Sequence, residues 1–257
     1  MSAMLTLDLT GRVALVTGGS GDLGRVICRT LAGCGAAVAV HFYSRPALAE
    51  QVVSDILAAG GRACAVAADL TSETAVQAMA ATVTATLGAP DIVVANAVIQ
   101  YQWTSILEQP LTDFDGQYRS CVLQAVLLAK AFAPAMQQRK RGRFIGISTE
   151  CTVQCNPNQG AYVAGKRGMD GIFRVLTKEL GPSGITVNQV APGWMISDRY
   201  RGTDQEEQPA YAAGVPLRRR GYDSDIANAV AFLASEQAAY ISGAWLPVCG
   251  GHVSGAI

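Results

Sequence analysis

The sequence predicts a three-layer, doubly wound α/β fold on a mostly parallel seven-stranded sheet, and three observations predict it. Short runs of β-branched and small apolar residues recur without polar alternation, as in RVALVT at 12–17, AAVAVH at 36–41 and DIVVA at 91–95. Strands apolar on both faces belong to a parallel sheet covered on both sides. Stretches of helical length separate these runs, so right-handed crossovers wind the chain about the sheet and leave ligands at the carboxyl ends of the strands. Half of the 257 residues are apolar and only 16% are charged, enough for a large core.

The elements follow in order. Residues 12–17 form the first strand, and 22–34 a helix closed by Gly35. Residues 36–41 are the second strand, and 46–59 a helix that begins at Pro46 and stops at Gly60-Gly61. A strand at 62–68, a helix at 72–87 and a strand at 91–95 come next. A long helix fills 112–139, followed by a strand at 143–148, a helix at 161–180 and a strand at 185–190. A looser segment runs from 192 to 220. A helix at 223–233 and a strand at 244–248 complete the sheet. No repeat or linker divides the chain, so residues 1–257 read as one domain. The charged and small residues near 195–218 read as a mobile lid over its site.

Composition excludes several functions. Twenty acidic and twenty basic residues leave no net field to attract nucleic acid or an anionic membrane. The basic run Arg139, Lys140, Arg141 and Arg143 reads as a solvated helix end. The most apolar stretch, 122–135, is broken by Gln124, Lys130 and Pro134, so no membrane span is expected. The amino-terminal residues lack a basic start and a long apolar run, so no signal peptide is expected. Seven scattered cysteines with two histidines imply reduced thiols and a cytoplasmic protein, with no metal site.

Each chemical motif falls at a strand's carboxyl end. Thr17-Gly18-Gly19-Ser20-Gly21-Asp22-Leu23-Gly24 leaves the first strand and opens the first helix. Glycines there allow a diphosphate to reach free N–H groups at a helix N-terminus. The second strand ends in Phe42-Tyr43-Ser44-Arg45, with no acid to bond a ribose hydroxyl and a cation to attract a 2′-phosphate. Tyr162 and Lys166 are four apart at a helix start and share one face. A phenol titrates near pH ~10, and a nearby ammonium lowers that value toward useful acid–base chemistry. Thr149 follows the strand at 143–148, with Ser148 as second choice, and Pro192-Gly193 follows the strand at 185–190.

These segments together resemble the short-chain dehydrogenase/reductase family, of ketoreductase-like type, over residues 9 to 252. The resemblance implies a Rossmann fold and hydride exchange between a nicotinamide cofactor, NADP(H) favoured and NAD(H) possible, and a carbonyl or secondary alcohol. It assigns catalysis to Thr149, Tyr162 and Lys166. It assigns the cofactor to Gly18, Ser20, Asp22, Leu23, Ser44, Arg45, Asp69, Leu70, Asn96, Ala97, Tyr162, Lys166, Pro192, Gly193, Met195 and Ser197. Substrate contacts fall to Gln100, Trp103, Gln154, Cys155, Asn156 and Trp194, a neutral mix suited to a medium-sized carbonyl compound. It also implies a homo-oligomer, dimer or tetramer, through the helices at 112–139 and 161–180. The chain departs from the family pattern at Asp22, Ala95, Val98, Thr149 and at Cys121, where an Asn is usual. These departures leave open a non-catalytic cofactor-binding protein, and the scaffold also supports a non-redox epimerase or dehydratase.

Overall fold

The computed structural model describes residues 7–197 and 200–254. Residues 1–6, on which the leader reading rested, and residues 198 and 199 of the expected lid lie outside that range. Strands β1 (Val13–Val16), β2 (Ala37–Phe42), β3 (Arg62–Ala67), β4 (Ile92–Ala95), β5 (Gly142–Ile147), β6 (Ile185–Pro192) and β9 (Trp245–Val248) make one sheet in the order β3-β2-β1-β4-β5-β6-β9. Every pairing is parallel, including the last, so the sheet is wholly rather than mostly parallel.

Helices α1 (Asp22–Gly33), α2 (Pro46–Ala58) and α9 (Asp223–Ala234) cover one face; α3 (Glu73–Leu87), α5 (Gln124–Arg139) and α7 (Gly160–Leu180) cover the other. Two apolar cores result. Ile27, Leu31, Val38, Val52 and Val230 fill one, and Leu15, Met79, Leu128, Phe144 and Phe173 the other. Alternate residues of β1 point into each core, which is why that strand is apolar throughout.

Three features differ from expectation. The helix at 112–139 is three consecutive pieces: α4 (Leu111–Gln117), a π-helical turn at Tyr118–Leu123, and α5. Leu111–Arg139 is long and apolar enough to cross a membrane by length and composition, yet Leu128, Phe132 and Met136 lie in the protein core. The looser segment contains β7 (Met195–Ile196), α8 (Pro209–Gly214) and β8 (Gly221–Tyr222), with β7 and β8 paired in a small second sheet. A short α6 (Cys151–Gln154) also follows β5.

The basic run is only partly solvated. Arg141 pairs with the buried Asp91 carboxylate at 2.8 Å, and Arg139 donates to Pro90 O at 2.7 Å. Arg143 is buried and faces Glu236 at 3.4 Å. Asp91 also accepts the Val13 N–H at 3.1 Å, so these charges tie together the amino ends of β1, β4 and β5. That is the end of the sheet opposite the chemical motifs.

Candidate active site

The strand order reverses between the paired strands β1 and β4, and the glycine-rich turn lies at the carboxyl end of that pair, beside the crevice the reversal leaves. Gly18 has φ +62°, and a Cβ there would lie 3.1 Å from the Ala97 Cα. A Cβ on Gly24 would stand 2.0 Å from Gly18 O, so only glycine lets α1 approach the turn this closely. The N-terminus of α1 has no side-chain cap. Its first N–H groups face the crevice end of the sheet, the arrangement that suits an anion.

Buried polar groups hold the turn in shape. His41, at the end of β2, accepts the Gly18 N–H at Nδ1 (3.0 Å), so Nε2 carries the proton donated to Ala68 O, also at 3.0 Å. Burial lowers the His41 pKa and keeps the ring neutral, as the bond from Gly18 requires. The Thr17 hydroxyl accepts the N–H groups of Asn96 and Ala97 at 2.9 and 3.0 Å and donates to Gln124 Oε1 at 2.8 Å. The Asn96 amide, assigned to the cofactor, donates to Thr17 O at 2.8 Å. Gln124 was read only as an interruption of an apolar stretch. It is a buried anchor between α5 and the β4 end, where its Nε2 donates to Ala97 O.

Asp22 lies at the first position of α1. Its carboxylate takes Arg25 Nη2 at 3.1 Å and the Ser197 hydroxyl at 3.2 Å. Arg25 therefore offsets the charge that would repel a diphosphate. Ser197, assigned to the cofactor, bridges the turn to the 195–218 segment. Ser20 is buried, and Leu23 packs on the α1-side core. Ser44 and Arg45 are exposed past the end of β2. Asp69 caps its own turn through the Thr71 N–H and hydroxyl, both at 2.8 Å, while Leu70 turns its side chain into the core.

Thr149, Tyr162 and Lys166 come together at the carboxyl end of β5. The Thr149 hydroxyl accepts the Cys151 N–H at 3.2 Å and lies near enough to the Tyr162 hydroxyl to lower its pKa. Ser148 points away, with its oxygen bonded by Trp245 Nε1 at 3.1 Å, as expected for adjacent residues at a strand end. Lys166 is 2% exposed; its Nζ donates to Ile147 O at 2.6 Å and stands 5.9 Å from the Tyr162 ring centre. The expected acidification of the phenol is absent here. Burial raises the Tyr162 pKa above the ordinary value of 10.0, the nearby Cys151 thiol adds to that, and only the Thr149 hydroxyl opposes them. Burial likewise lowers the Lys166 pKa. Desolvation exceeds the attraction that the i, i+4 spacing suggested.

Cys121 lies in the π-helical turn, buried, with its Sγ 3.7 Å from Gln117 Oε1. Trp103 stacks on Tyr162 with ring centres 5.7 Å apart, and the Tyr101 hydroxyl accepts the Tyr162 N–H. Gln100 is exposed on the same loop. Cys155 has φ +49° and directs its thiol to Thr152 O, away from a ligand role. Asn156 donates to Gln154 Oε1 at 3.4 Å. Ala97 and Pro192 line the strand ends, and Gly193 is hemmed in by the Tyr211 hydroxyl.

Trp194 is gripped from several sides. Its N–H donates to the Tyr211 hydroxyl at 2.8 Å, and its carbonyl accepts from Arg220 Nε at 3.2 Å. The Arg220 guanidinium lies 4.6 Å from its ring centre, and Tyr211 meets the ring edge-on. Glu150, Tyr211, Arg220 and His252, all buried or half-buried here, carried no motif that marked them in the sequence. An apolar groove between α3 and α5, lined by Ala80, Ala81, Thr84 and Ala135, lies apart from this constellation and has no titratable side chain.

Comparison with known proteins is consistent along the chain. Residues 20–252 match the family described as enoyl-(acyl carrier protein) reductase. The chain is 36% identical over 248 residues to 3-oxoacyl-(acyl-carrier-protein) reductase FabG of Staphylococcus aureus, covering 93% of this chain and 96% of that one. It is 35% identical over 255 residues to the FabG reductase of Escherichia coli strain K12, covering 95% and 98%. Among solved structures, 7α-hydroxysteroid dehydrogenase complexed with NADH and 7-oxo glycochenodeoxycholic acid superposes with a TM-score of 0.89 at 32% identity, covering 99% of each chain. A blue fluorescent protein from a metagenomic library, complexed with NADPH, gives a TM-score of 0.85 at 31% identity, covering 96% of this chain and 100% of that one. Fold, order of motifs and sequence agree: the chain is an oxidoreductase and belongs to the short-chain dehydrogenase/reductase family.

Proposed function

We propose that the protein is an NADP(H)-dependent reductase that interconverts a ketone and a secondary alcohol. The observation that carries this is the meeting of Thr149, Tyr162 and buried Lys166 at the carboxyl end of β5, with Lys166 one turn farther along α7, bonded to Ile147 O and 5.9 Å from the Tyr162 ring centre. The named relatives reduce 3-oxoacyl groups or oxidise and reduce hydroxysteroids, which supports a carbonyl or alcohol substrate.

The crevice fits a dinucleotide: the N-terminus of α1 is uncapped, and no side chain fits between Gly18 and Gly24. Gly18, Ser20, Asp22 and Leu23 would hold its diphosphate. Exposed Ser44 and Arg45 would take a 2′-phosphate, with no acid at the end of β2 to repel it. Asp69 and Leu70 would flank the adenine, and Asn96 and Ala97 a ribose. Pro192, Gly193, Met195 and Ser197 would meet the nicotinamide, which supplies the hydride when bound.

In the reductive direction, the Tyr162 hydroxyl gives its proton to the carbonyl oxygen while the Thr149 hydroxyl bonds the same oxygen. A phenol whose pKa burial has raised stays protonated across the neutral range, the state that reduction needs. Lys166 holds a positive charge close to the phenolate that forms. Gln100, Trp103, Gln154, Cys155, Asn156 and Trp194 bound the substrate side, a surface for a neutral, medium-sized carbonyl compound. The segment near 195–218 serves as the lid. The reading extends to a cytoplasmic homo-oligomer, dimer or tetramer, joined through the helical stretches at 112–139 and 161–180.

The test is NADPH oxidation with a panel of ketones, including 3-oxoacyl thioesters and keto steroids, for wild type and Tyr162→Phe. Loss of the proton donor lowers kcat by about 10²- to 10⁴-fold. Equal rates for the two proteins refute the assignment of Tyr162. Tight NADPH binding with no carbonyl turned over refutes the reductase.

A further inference from the structure

Beside the Tyr162 constellation lies a second polar cluster. Glu150 follows Thr149 directly, yet its side chain is only 4% exposed. Its N–H donates to Pro192 O at 2.8 Å. Its Oε1 accepts the Tyr211 hydroxyl at 2.7 Å, and its Oε2 stands 3.2 Å from His252 Nδ1. Glu150 therefore joins the loop after β5 to Pro192 through its N–H, and to lid helix α8 and the segment after β9 through its carboxylate. The His252 ring also meets the edge of Tyr211, with centres 4.9 Å apart.

The same His252 Nδ1 lies 3.0 Å from Gln154 Nε2. The Gln154 amide is oriented by Asn156, which donates to its Oε1, so its NH₂ faces the ring. A single ring nitrogen cannot satisfy both neighbours. When the imidazole is neutral with the proton on Nε2, Nδ1 offers a lone pair that accepts from Gln154 and turns the same lone pair toward Glu150. When the imidazole is protonated, Nδ1–H donates to Glu150 in a charge-assisted bond and turns an N–H toward the Gln154 amide. The other titratable groups at this cluster are Tyr211 from α8, the Cys249 thiol from the end of β9, and Arg220 over the Trp194 ring.

We propose that Glu150 and His252 are a positioning pair: protonation of His252 moves its Nδ1 bond from Gln154 to Glu150. This ties the C-terminal segment to the Thr149 loop and frees the Gln154 amide for the substrate. The inference rests on the reductase reading only in placing substrate beside Gln154; the exchange of partners stands on geometry alone.

Two measurements decide it. The chain has two histidines, and His41 is buried with both ring nitrogens bonded, so ring NMR of the cofactor-free protein resolves His252. The Gln154 side-chain amide signal is expected to move with the same midpoint as the His252 ring. An amide signal that ignores the titration overturns the proposal, whatever the enzyme does. In steady-state assays, KM for the carbonyl substrate is expected to fall about three- to tenfold as His252 protonates, the worth of one hydrogen bond. The kcat profile keeps its own pH dependence.

Glu150→Gln retains an acceptor for Tyr211, and His252→Asn removes the titrating ring; both are expected to flatten KM against pH. A KM limb that persists in both overturns the pair. A wild type that turns over no carbonyl while the two NMR midpoints coincide refutes the reductase reading and leaves the pair standing.

Discussion

His41 shows how one side chain shapes a binding turn. Its two ring nitrogens bridge Gly18 and Ala68, and its main-chain oxygen accepts the Gly19 N–H at 2.8 Å. The bridge works only with a neutral ring, and burial lowers the His41 pKa from the ordinary 6.5. The unfolded chain therefore takes up the proton first as pH falls. The contribution of His41 is fully present above pH 6.5 and is lost progressively below it. Denaturant titrations from pH 7 to pH 5 are expected to show stability declining in wild type and declining less in His41→Gln. An identical decline in both would place the effect elsewhere. At this scale the sequence was readable where placement depends on spacing: Tyr162, Lys166 and Thr149 meet at the carboxyl end of β5. It was silent where chemistry depends on burial: nothing in Tyr162-Val163-Ala164-Gly165-Lys166 discloses that the ammonium bonds Ile147 O and that desolvation governs the phenol.

Among the elements, the segment after β6 depends on Arg220. This buried guanidinium donates to the carbonyls of Trp194, Met195, Gln205 and Glu206 at 2.6 to 3.2 Å, so a planar five-donor group does what secondary structure does elsewhere. Arg220→Lys keeps the charge but reaches fewer of the four oxygens. It is expected to cost about 2 kcal/mol and to speed amide exchange and proteolysis in residues 200–208, with α1 and β1 unchanged. Uniform loosening of the whole protein would contradict this. Element existence was legible throughout the sheet because continuous apolar strands and glycine stops are local signals. The interior of the 192–220 segment was not, because β7 is held by the side chain of Arg220 at the segment's far end and α8 by the Tyr211 bond to Glu150. The π-helical turn at Tyr118–Leu123 was hidden for a related reason: helical periodicity continues through it with only a local change of phase.

For the whole molecule, binding and stability are linked, because a ligand held only by the folded state raises its melting temperature. Saturation at ~100 times the dissociation constant adds about 2.7 kcal/mol, or roughly 5–10 °C for a chain of this size. NADPH is expected to give the larger shift and NADH a smaller one at equal concentration, with Arg45→Ala bringing the two together. Thermal denaturation with each nucleotide checks this, and a larger shift with NADH would reverse the cofactor preference. The parallel architecture was foreseeable because only a sheet covered on both faces accommodates VALV, AVAV and IVVA.

The strand order has a further consequence for biosynthesis. β1, β2 and β3 can associate as soon as they leave the ribosome, but the crevice has no second wall until β4 is made. Glu150 then waits a hundred residues for His252, long after Thr149 and Tyr162 have been translated. During elongation the nascent chain would therefore expose an unlatched carboxylate beside Thr149 and Tyr162 until the segment after β9 has emerged.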